Sequence, residues 1–166
     1  MHRLAFLGLL VLAVPALPCT CVSAVGTTAK TIVNDYAAVF QGTVVERKVL
    51  PRRAEMKGRG RYAITFRVDE YWKGSPDRMR ILYGVSEGTD CMGGSSYEVG
   101  KNYLVYAREQ VVRDEILDNG FFWYGWTDVL PEGTKMLVPG ACTPEGETTM
   151  PWVRAALREL GKGRTP

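Results

Sequence analysis

The sequence predicts a mainly β fold: a small, closed, OB-type β-barrel of five strands with flanking α-helices and two disulfides. Short segments rich in β-branched and aromatic residues recur between turn signals along the chain, as in small barrels. A periodic apolar stripe typical of a helix lies near each end of that region. The four cysteines are an even number, which favours disulfides in an exported protein.

Length and composition limit the possible functions. The chain has 166 residues, of which 46% are hydrophobic and 23% charged, as expected for one globular domain. A formal net charge of +3 is too small to make nucleic acid the expected partner. The single histidine is His2, so a processed chain would contain no imidazole for catalysis or metal binding. We therefore expect no enzymatic activity, no cofactor and no metal site of its own.

The N-terminus has the layout of a secretory signal peptide. A short basic start precedes the uncharged run Leu4–Ala16, which is too short to span a bilayer comfortably. Small residues at −3 and −1 predict a signal peptide at 1–16 and a single domain at 17–166, with cleavage after Pro18 as the alternative. We expect a monomeric, secreted extracellular protein (periplasmic in a Gram-negative bacterium) with no membrane span after processing.

The cysteine spacing restricts the disulfide pairing. Cys19 and Cys21 are too close in an extended chain to pair with each other. Each is therefore expected to reach either Cys91 or Cys142, closing a long loop and stabilising the fold by about 2–4 kcal/mol. A four-cysteine zinc site is the rival interpretation, which this spacing matches poorly.

The first elements are a short helix and a strand. Thr27 or Thr28 is a candidate helix cap, and an apolar stripe with helical spacing follows. The stripe comprises Ala29, Ile32, Val33, Tyr36 and Ala37. Residues 39–45 then predict a strand, in which Gly42 indicates a bulge or a sharp bend.

Residues 46–61 are predicted to form a long connection. Seven of them are basic and two are acidic, and Gly58 and Gly60 loosen the chain. A solvated hairpin loop is the favoured interpretation. The alternative is a basic contact loop at 47–61 for an acidic partner.

The middle and the end of the chain predict further strands and a second helix. Residues 62–69 alternate between apolar and polar side chains, which is typical of a half-buried strand, and a turn follows at 72–76. Thr149 is the candidate cap of the C-terminal helix and Gly161 its end. The remaining predicted elements are strands at Met79–Val85, Tyr103–Ala107 and Lys135–Val138, and the helix Met150–Leu160.

An aromatic hairpin is predicted over residues 111–124, with its turn at Asp118–Gly120. Five aromatic residues lie between positions 121 and 126, and alternation allows only some of them to face a barrel. The others could form an exposed anchor for a partner, with Trp123 and Trp126 as the contacts. The alternative is a second small core in which the hairpin folds over the barrel.

Four segments together resemble the netrin-like module, and specifically the N-terminal domain of the tissue inhibitors of metalloproteinases. Each motif is weak alone, but their order and spacing are fairly specific, and the resemblance covers most of residues 19–107. The segments are Cys19–Val22, Ala37–Val44, Ile64–Val68 with Trp72–Gly74, and Cys91 followed by Gly100–Ala107.

The resemblance implies disulfides Cys19–Cys91 and Cys21–Cys142. It also implies a function, the binding and inhibition of a zinc metalloendopeptidase, whose zinc would be chelated by the α-amino group and carbonyl of Cys19 while Thr20 fills the specificity pocket. The implied inhibitory edge comprises Cys19, Thr20, Cys21, Val22, Thr89, Asp90 and Cys91. The alternative is a non-inhibitory secreted netrin-like domain that binds its partner through the 121–126 hairpin or the basic 47–61 loop.

Overall fold

The computed structural model describes residues 28–51, 60–86, 97–113, 126–140, 143 and 145–166. In this part of the chain a short 3₁₀ helix precedes six strands and one α-helix. Their bounds are the 3₁₀ helix Thr31–Asp35, β1 Ala38–Leu50, β2 Gly60–Lys73, β3 Met79–Ser86, β4 Asn102–Val111, β5 Lys135–Pro139, β6 Gly146–Glu147 and α1 Pro151–Leu160.

Five strands close into a mixed barrel, which confirms the predicted OB-type architecture. The strand order is β1-β2-β3-β5-β4, and β4 returns to pair with β1. All neighbours are antiparallel except β3 and β5, which are parallel and joined through one residue pair, Leu82 and Leu137. The short strand β6 pairs with the start of β4. The four cysteines lie outside the described residues.

The barrel interior is an aromatic and aliphatic core. Phe40 of β1 and Phe66 of β2 are fully buried and meet edge to face, with ring centroids 5.5 Å apart. Tyr97 joins them, with its ring centroid 5.3 Å from that of Phe66 and 4.9 Å from that of Tyr103. Edge-to-face pairs of this kind stabilise a core beyond the apolar area they bury. The alternation that predicts β2 therefore identifies its inward face correctly.

A second core lies outside the barrel, under the C-terminal helix. Val39, Leu104 and Tyr106 point outward from β1 and β4, and Val153 and Ala156 of α1 cover them. The predicted helical stripe near the N-terminus also packs here, although it forms only the 3₁₀ helix Thr31–Asp35. The longer helix is wrong because the backbone is already extended at Tyr36, two residues before β1 begins to pair with β4 at Ala38.

The predicted connection at 46–61 is largely strand. Strand β1 continues to Leu50 and β2 starts at Gly60, and paired backbone groups join 46–50 to 61–65. The side chains of 45–49 are exposed, so the apolar pattern that reveals a strand is absent there. The hydrogen-bond ladder, and not burial, holds these charged residues in the sheet.

The end of helix α1 agrees with the prediction, but its start does not. Thr149 donates its hydroxyl to Glu147 Oε1 over 2.8 Å and makes no helix cap, and Pro151 takes the first helical position. Gly161 ends the helix as predicted, with φ 69° and its N–H bonded to the Leu157 carbonyl. Within the described residues, no helix is long and apolar enough to cross a membrane.

Gly42 lies at a bulge in β1, as predicted. The register between β1 and β2 shifts at Gln41/Gly42, and β1 is paired on both sides there. A Cβ built on Gly42 would lie 2.7 Å from the Arg67 carbonyl oxygen. That oxygen belongs to a paired strand and has little room to move, so a side chain at position 42 would force the two strands apart.

We expect Gly42→Ala to destabilise the barrel by about 1–3 kcal/mol, since overpacking against backbone costs this much. Urea unfolding followed by tyrosine and tryptophan fluorescence would measure the change. Val49→Ala, at a side chain that is 75% exposed on the same strand, is the control and should leave stability nearly unchanged. A Gly42→Ala variant as stable as this control would contradict the close approach.

Candidate functional site

A cavity of about 390 Å³ opens at one end of the barrel. It lies beside the single residue pair that joins β3 to β5, between the start of β3, the turn before it and the facing parts of β4 and β5. We call it the mouth cavity. Its lining is Ala37, Ala38, Gly74, Ser75, Asp77, Met79, Arg80, Ile81, Glu109 and Leu137.

Arg80 is the buried charge of the mouth cavity. Its side chain has the inward phase of β3, shared with Leu82, and only 6% of it is exposed. The guanidinium donates from Nη2 to the Ser75 carbonyl and lies over the Phe40 ring, with Cζ 5.2 Å from the centroid. Nε has no hydrogen-bond partner. The burial lowers the pKa of Arg80, while the nearby charge of Asp77 acts in the opposite direction.

The turn before β3 is shaped around this guanidinium. Gly74 has φ 99°, and a Cβ built there would lie 2.8 Å from Arg80 Nη1. The glycine therefore allows the turn and the arginine to lie in contact. Sequence reasoning missed Arg80, although its position two residues before Leu82 in an alternating strand was a usable signal for an inward charge.

The two acidic residues at the cavity already have partners. Asp77 accepts a hydrogen bond from the Ser75 hydroxyl. Glu109 forms an ion pair with Lys135, with 2.8 Å between Oε1 and Nζ. In the described part of the chain, the ion pairs do not include Arg80. Both carboxylates of the mouth cavity thus have a partner, whereas the Arg80 guanidinium has one donor, Nε, without a hydrogen-bond partner.

A row of polar side chains crosses the outer face of three strands next to α1. Asn102 of β4 donates from Nδ2 to Asp69 Oδ2 over 2.6 Å and to Thr43 Oγ1 over 3.1 Å. Gln41 donates to Asn102 Oδ1 over 2.9 Å. Thr43 also donates its hydroxyl to Asp69 Oδ2 over 3.3 Å, so these groups bond mainly to one another. The row therefore joins the three strands through side-chain hydrogen bonds.

Among the carboxylic acids of the described residues, Glu145 has the largest shift in pKa. Its Oε1 accepts from the Tyr97 hydroxyl and its Oε2 from the Tyr106 N–H, each over 3.4 Å. Both tyrosines are buried, so the carboxyl group faces the protein although the residue is only half-buried overall. Burial raises the pKa of Glu145 from 4.5 to about 8, and the two hydrogen bonds oppose that rise.

A third core surrounds Arg61, which is fully buried. Its guanidinium binds Asp128 through two hydrogen bonds of 2.8 and 2.5 Å, and Nε donates to the Pro51 carbonyl over 2.9 Å. The ring of Trp126 lies over it, with its centroid 5.3 Å from Cζ. Arg61 is therefore not an exposed part of a basic contact loop.

Trp126 belongs to this third core as well. It is 2% exposed and packs edge to face against Tyr83, with ring centroids 5.8 Å apart. Trp126 is therefore not an exposed partner anchor, and the second-core alternative describes its position. Burial of its large ring against Leu50 and Met136 removes more apolar surface from water than an exposed position would.

The other predicted site residues lie outside the described part of the chain. They include the whole inhibitory edge, residues 19–22 and 89–91, together with Cys142 and Trp123. In the described ranges, no three of the histidine, cysteine, aspartate and glutamate residues are grouped as a metal site would need.

We expect Asp128→Asn to destabilise the protein by about 1–3 kcal/mol, because it removes a carboxylate that accepts two hydrogen bonds from the buried Arg61 guanidinium. Lys135→Gln is the control, since it breaks the exposed pair with Glu109 and should cost less than about 0.5 kcal/mol. Thermal unfolding by circular dichroism would compare the two. Equal effects would contradict a special role for the buried pair.

We expect stability to fall as pH rises from about 4.5 to about 8, because folded Glu145 holds its proton over that interval and the unfolded side chain does not. In Glu145→Gln this decline should be weaker, since an amide does not titrate. Melting temperatures measured from pH 5 to 8 for both proteins would check this. Parallel curves for the two proteins would show that Glu145 does not cause the decline.

Comparisons with protein-family models, curated proteins and solved structures found no match to this chain.

Proposed function

We propose that the chain is an exported protein-binding module, and that its specific activity is inhibition of a zinc metalloendopeptidase through the Cys19–Thr20 edge. The observation that supports this is the placement of three segments of the resemblance. Ala37–Val44, Ile64–Val68 and Gly100–Ala107 contribute to three neighbouring strands of one closed barrel. This is the kind of scaffold that the resemblance implies.

The chain's own residues agree better with binding than with catalysis. Arg80 and Arg61 are held by hydrogen bonds in cores, and the polar row around Asn102 bonds mainly to itself. In the described residues these groups hold side chains and strands together, as a scaffold that presents an edge to a partner requires.

Inhibition at the edge would depend on a free α-amino group at Cys19. An α-amine has a pKa of about 7.7–8.0, so a useful fraction is neutral at pH 7 and can coordinate zinc. Two residues ahead of Cys19 would convert that amine into an amide, which is a poor zinc ligand, and would add bulk in front of the edge. The mature N-terminus therefore decides the activity.

The test compares two forms of the protein, one beginning at Cys19 and one at Leu17. We expect the Cys19 form to inhibit a zinc metalloendopeptidase and the Leu17 form to be weaker by roughly a hundredfold or more, because the zinc ligand is lost. Residual activity on a fluorogenic peptide would be the measurement. N-terminal sequencing of the exported protein would identify the natural form.

Trp152→Ala in the Cys19 form is the matched control. Its ring is 56% exposed on α1, outside the proposed edge, so inhibition should be unchanged. Equal inhibition by the Cys19 and Leu17 forms would contradict zinc chelation by the amine. No inhibition by either form would overturn the inhibitor proposal.

The second candidate is a non-inhibitory binding domain that uses the basic loop or the aromatic hairpin. One observation favours the basic loop: Lys48 is exposed on the extension of β1, next to Arg47, which lies over the Tyr62 ring with its Cζ 5.0 Å from the centroid. Arg47→Glu with Lys48→Glu should weaken the binding of an acidic partner, because it replaces two exposed positive charges with negative ones.

A further inference from the structure

We propose that the mouth cavity is a binding site for a small carboxylate with a short apolar chain. The carboxylate would pair with Arg80, and the chain would lie against Met79, Ile81 and Leu137. None of the residues that line the cavity belongs to the proposed Cys19 edge, so this proposal is tested independently of metalloendopeptidase inhibition.

The sign of the ligand charge follows from what each charged group of the cavity already binds. Asp77 accepts from the Ser75 hydroxyl, and Glu109 is paired with Lys135. Arg80 gives one hydrogen bond to a neutral carbonyl and has an Nε without a partner. The charge of Asp77 lies nearby but makes no ion pair with Arg80, so an anion that reaches the guanidinium would gain a charge-assisted hydrogen bond that a cation could not form.

The apolar residues that line the cavity indicate that part of the ligand is apolar. Met79 and Ile81 are 50% and 44% exposed at the cavity, although large apolar side chains are usually buried. They flank Arg80 in β3, and Leu137 of β5 also lines the cavity. Covering this surface with an aliphatic chain would stabilise the complex in proportion to the area removed from water.

The size of the cavity limits the ligand. A volume of about 390 Å³ lies near the lower end of the range for small-molecule sites, which is roughly 300–1,000 Å³. It suits a short aliphatic acid or the last residue of a peptide with an apolar side chain. The chemistry shared by both is a carboxylate next to an apolar group.

Calorimetric titration of the full-length exported protein with hexanoate is the test, and hexanamide is the uncharged comparison. We expect hexanoate to bind at least roughly tenfold more tightly than hexanamide, because only the acid forms a charge-assisted pair with Arg80. Equal affinity for the two compounds, or no heat from hexanoate at millimolar concentration, would overturn the proposal.

Two variants test whether Arg80 and Met79 belong to the binding site. Arg80→Met keeps an unbranched side chain over Phe40, and in it the preference for hexanoate should disappear. Met79→Glu, at an exposed position, leaves Arg80 in place and should weaken hexanoate binding about tenfold by charge repulsion. If Arg80→Met fails to fold, Met79→Glu still decides the outcome.

Val49→Glu is the matched control for Met79→Glu. It places the same charge on an exposed strand position that does not line the cavity, so hexanoate affinity should be unchanged. Weakening by Val49→Glu equal to that by Met79→Glu would contradict the site.

Acetylated tripeptides ending in leucine distinguish the two sources of the carboxylate. If the free acid binds better than hexanoate and its amidated form does not bind, the natural ligand is a peptide C-terminus. If hexanoate binds better than the free-acid tripeptide, the site takes a small aliphatic acid. Either result supports the carboxylate site, whereas equal binding of the two tripeptides would oppose it.

Discussion

The whole barrel depends on the pairing of β1 along both of its edges. The first half of the strand pairs with β4, which closes the cylinder, and its full length pairs with β2. The register between β1 and β2 shifts at Val39/Phe40, Gln41/Gly42 and Val44/Glu46, and bulges of this kind bend a strand, which helps the sheet to close. The interior core, the outward positions under α1 and the polar row around Asn102 all take their places from this double pairing.

Among the described residues, the closed barrel is accompanied by three separate apolar clusters. The first fills the barrel, the second lies between β1, β4 and α1, and the third surrounds Trp126. Both buried arginines lie at the margins of these clusters, where an aromatic ring covers one face of the guanidinium and backbone carbonyls are within reach. They differ in their partners, because Arg61 has the carboxylate of Asp128 and Arg80 has none in the described ranges.

Strand alternation made much of the fold predictable. In 62–69 the apolar residues recur at every second position, and those positions do line the interior. The second half of β1 could not be found in this way, because its charged side chains face solvent and only backbone bonds define the strand. Arg80 was missed for a related reason: its environment depends on the Phe40 ring, which is distant in sequence, as well as on the preceding turn. Trp126 was ambiguous, since an aromatic cluster is equally compatible with a core and with an exposed anchor.

The single residue pair between β3 and β5 has a kinetic consequence. A barrel opens most easily where the fewest hydrogen bonds must break, and β5 is paired along its length with β4 but only at Leu137 with β3. Amide hydrogens of β3 that face this seam should therefore exchange with solvent faster than those of β1 and β2. Transient separation of β3 and β5 would widen the adjacent mouth cavity. The rate at which a ligand enters would then be limited by this motion of the protein and not by diffusion.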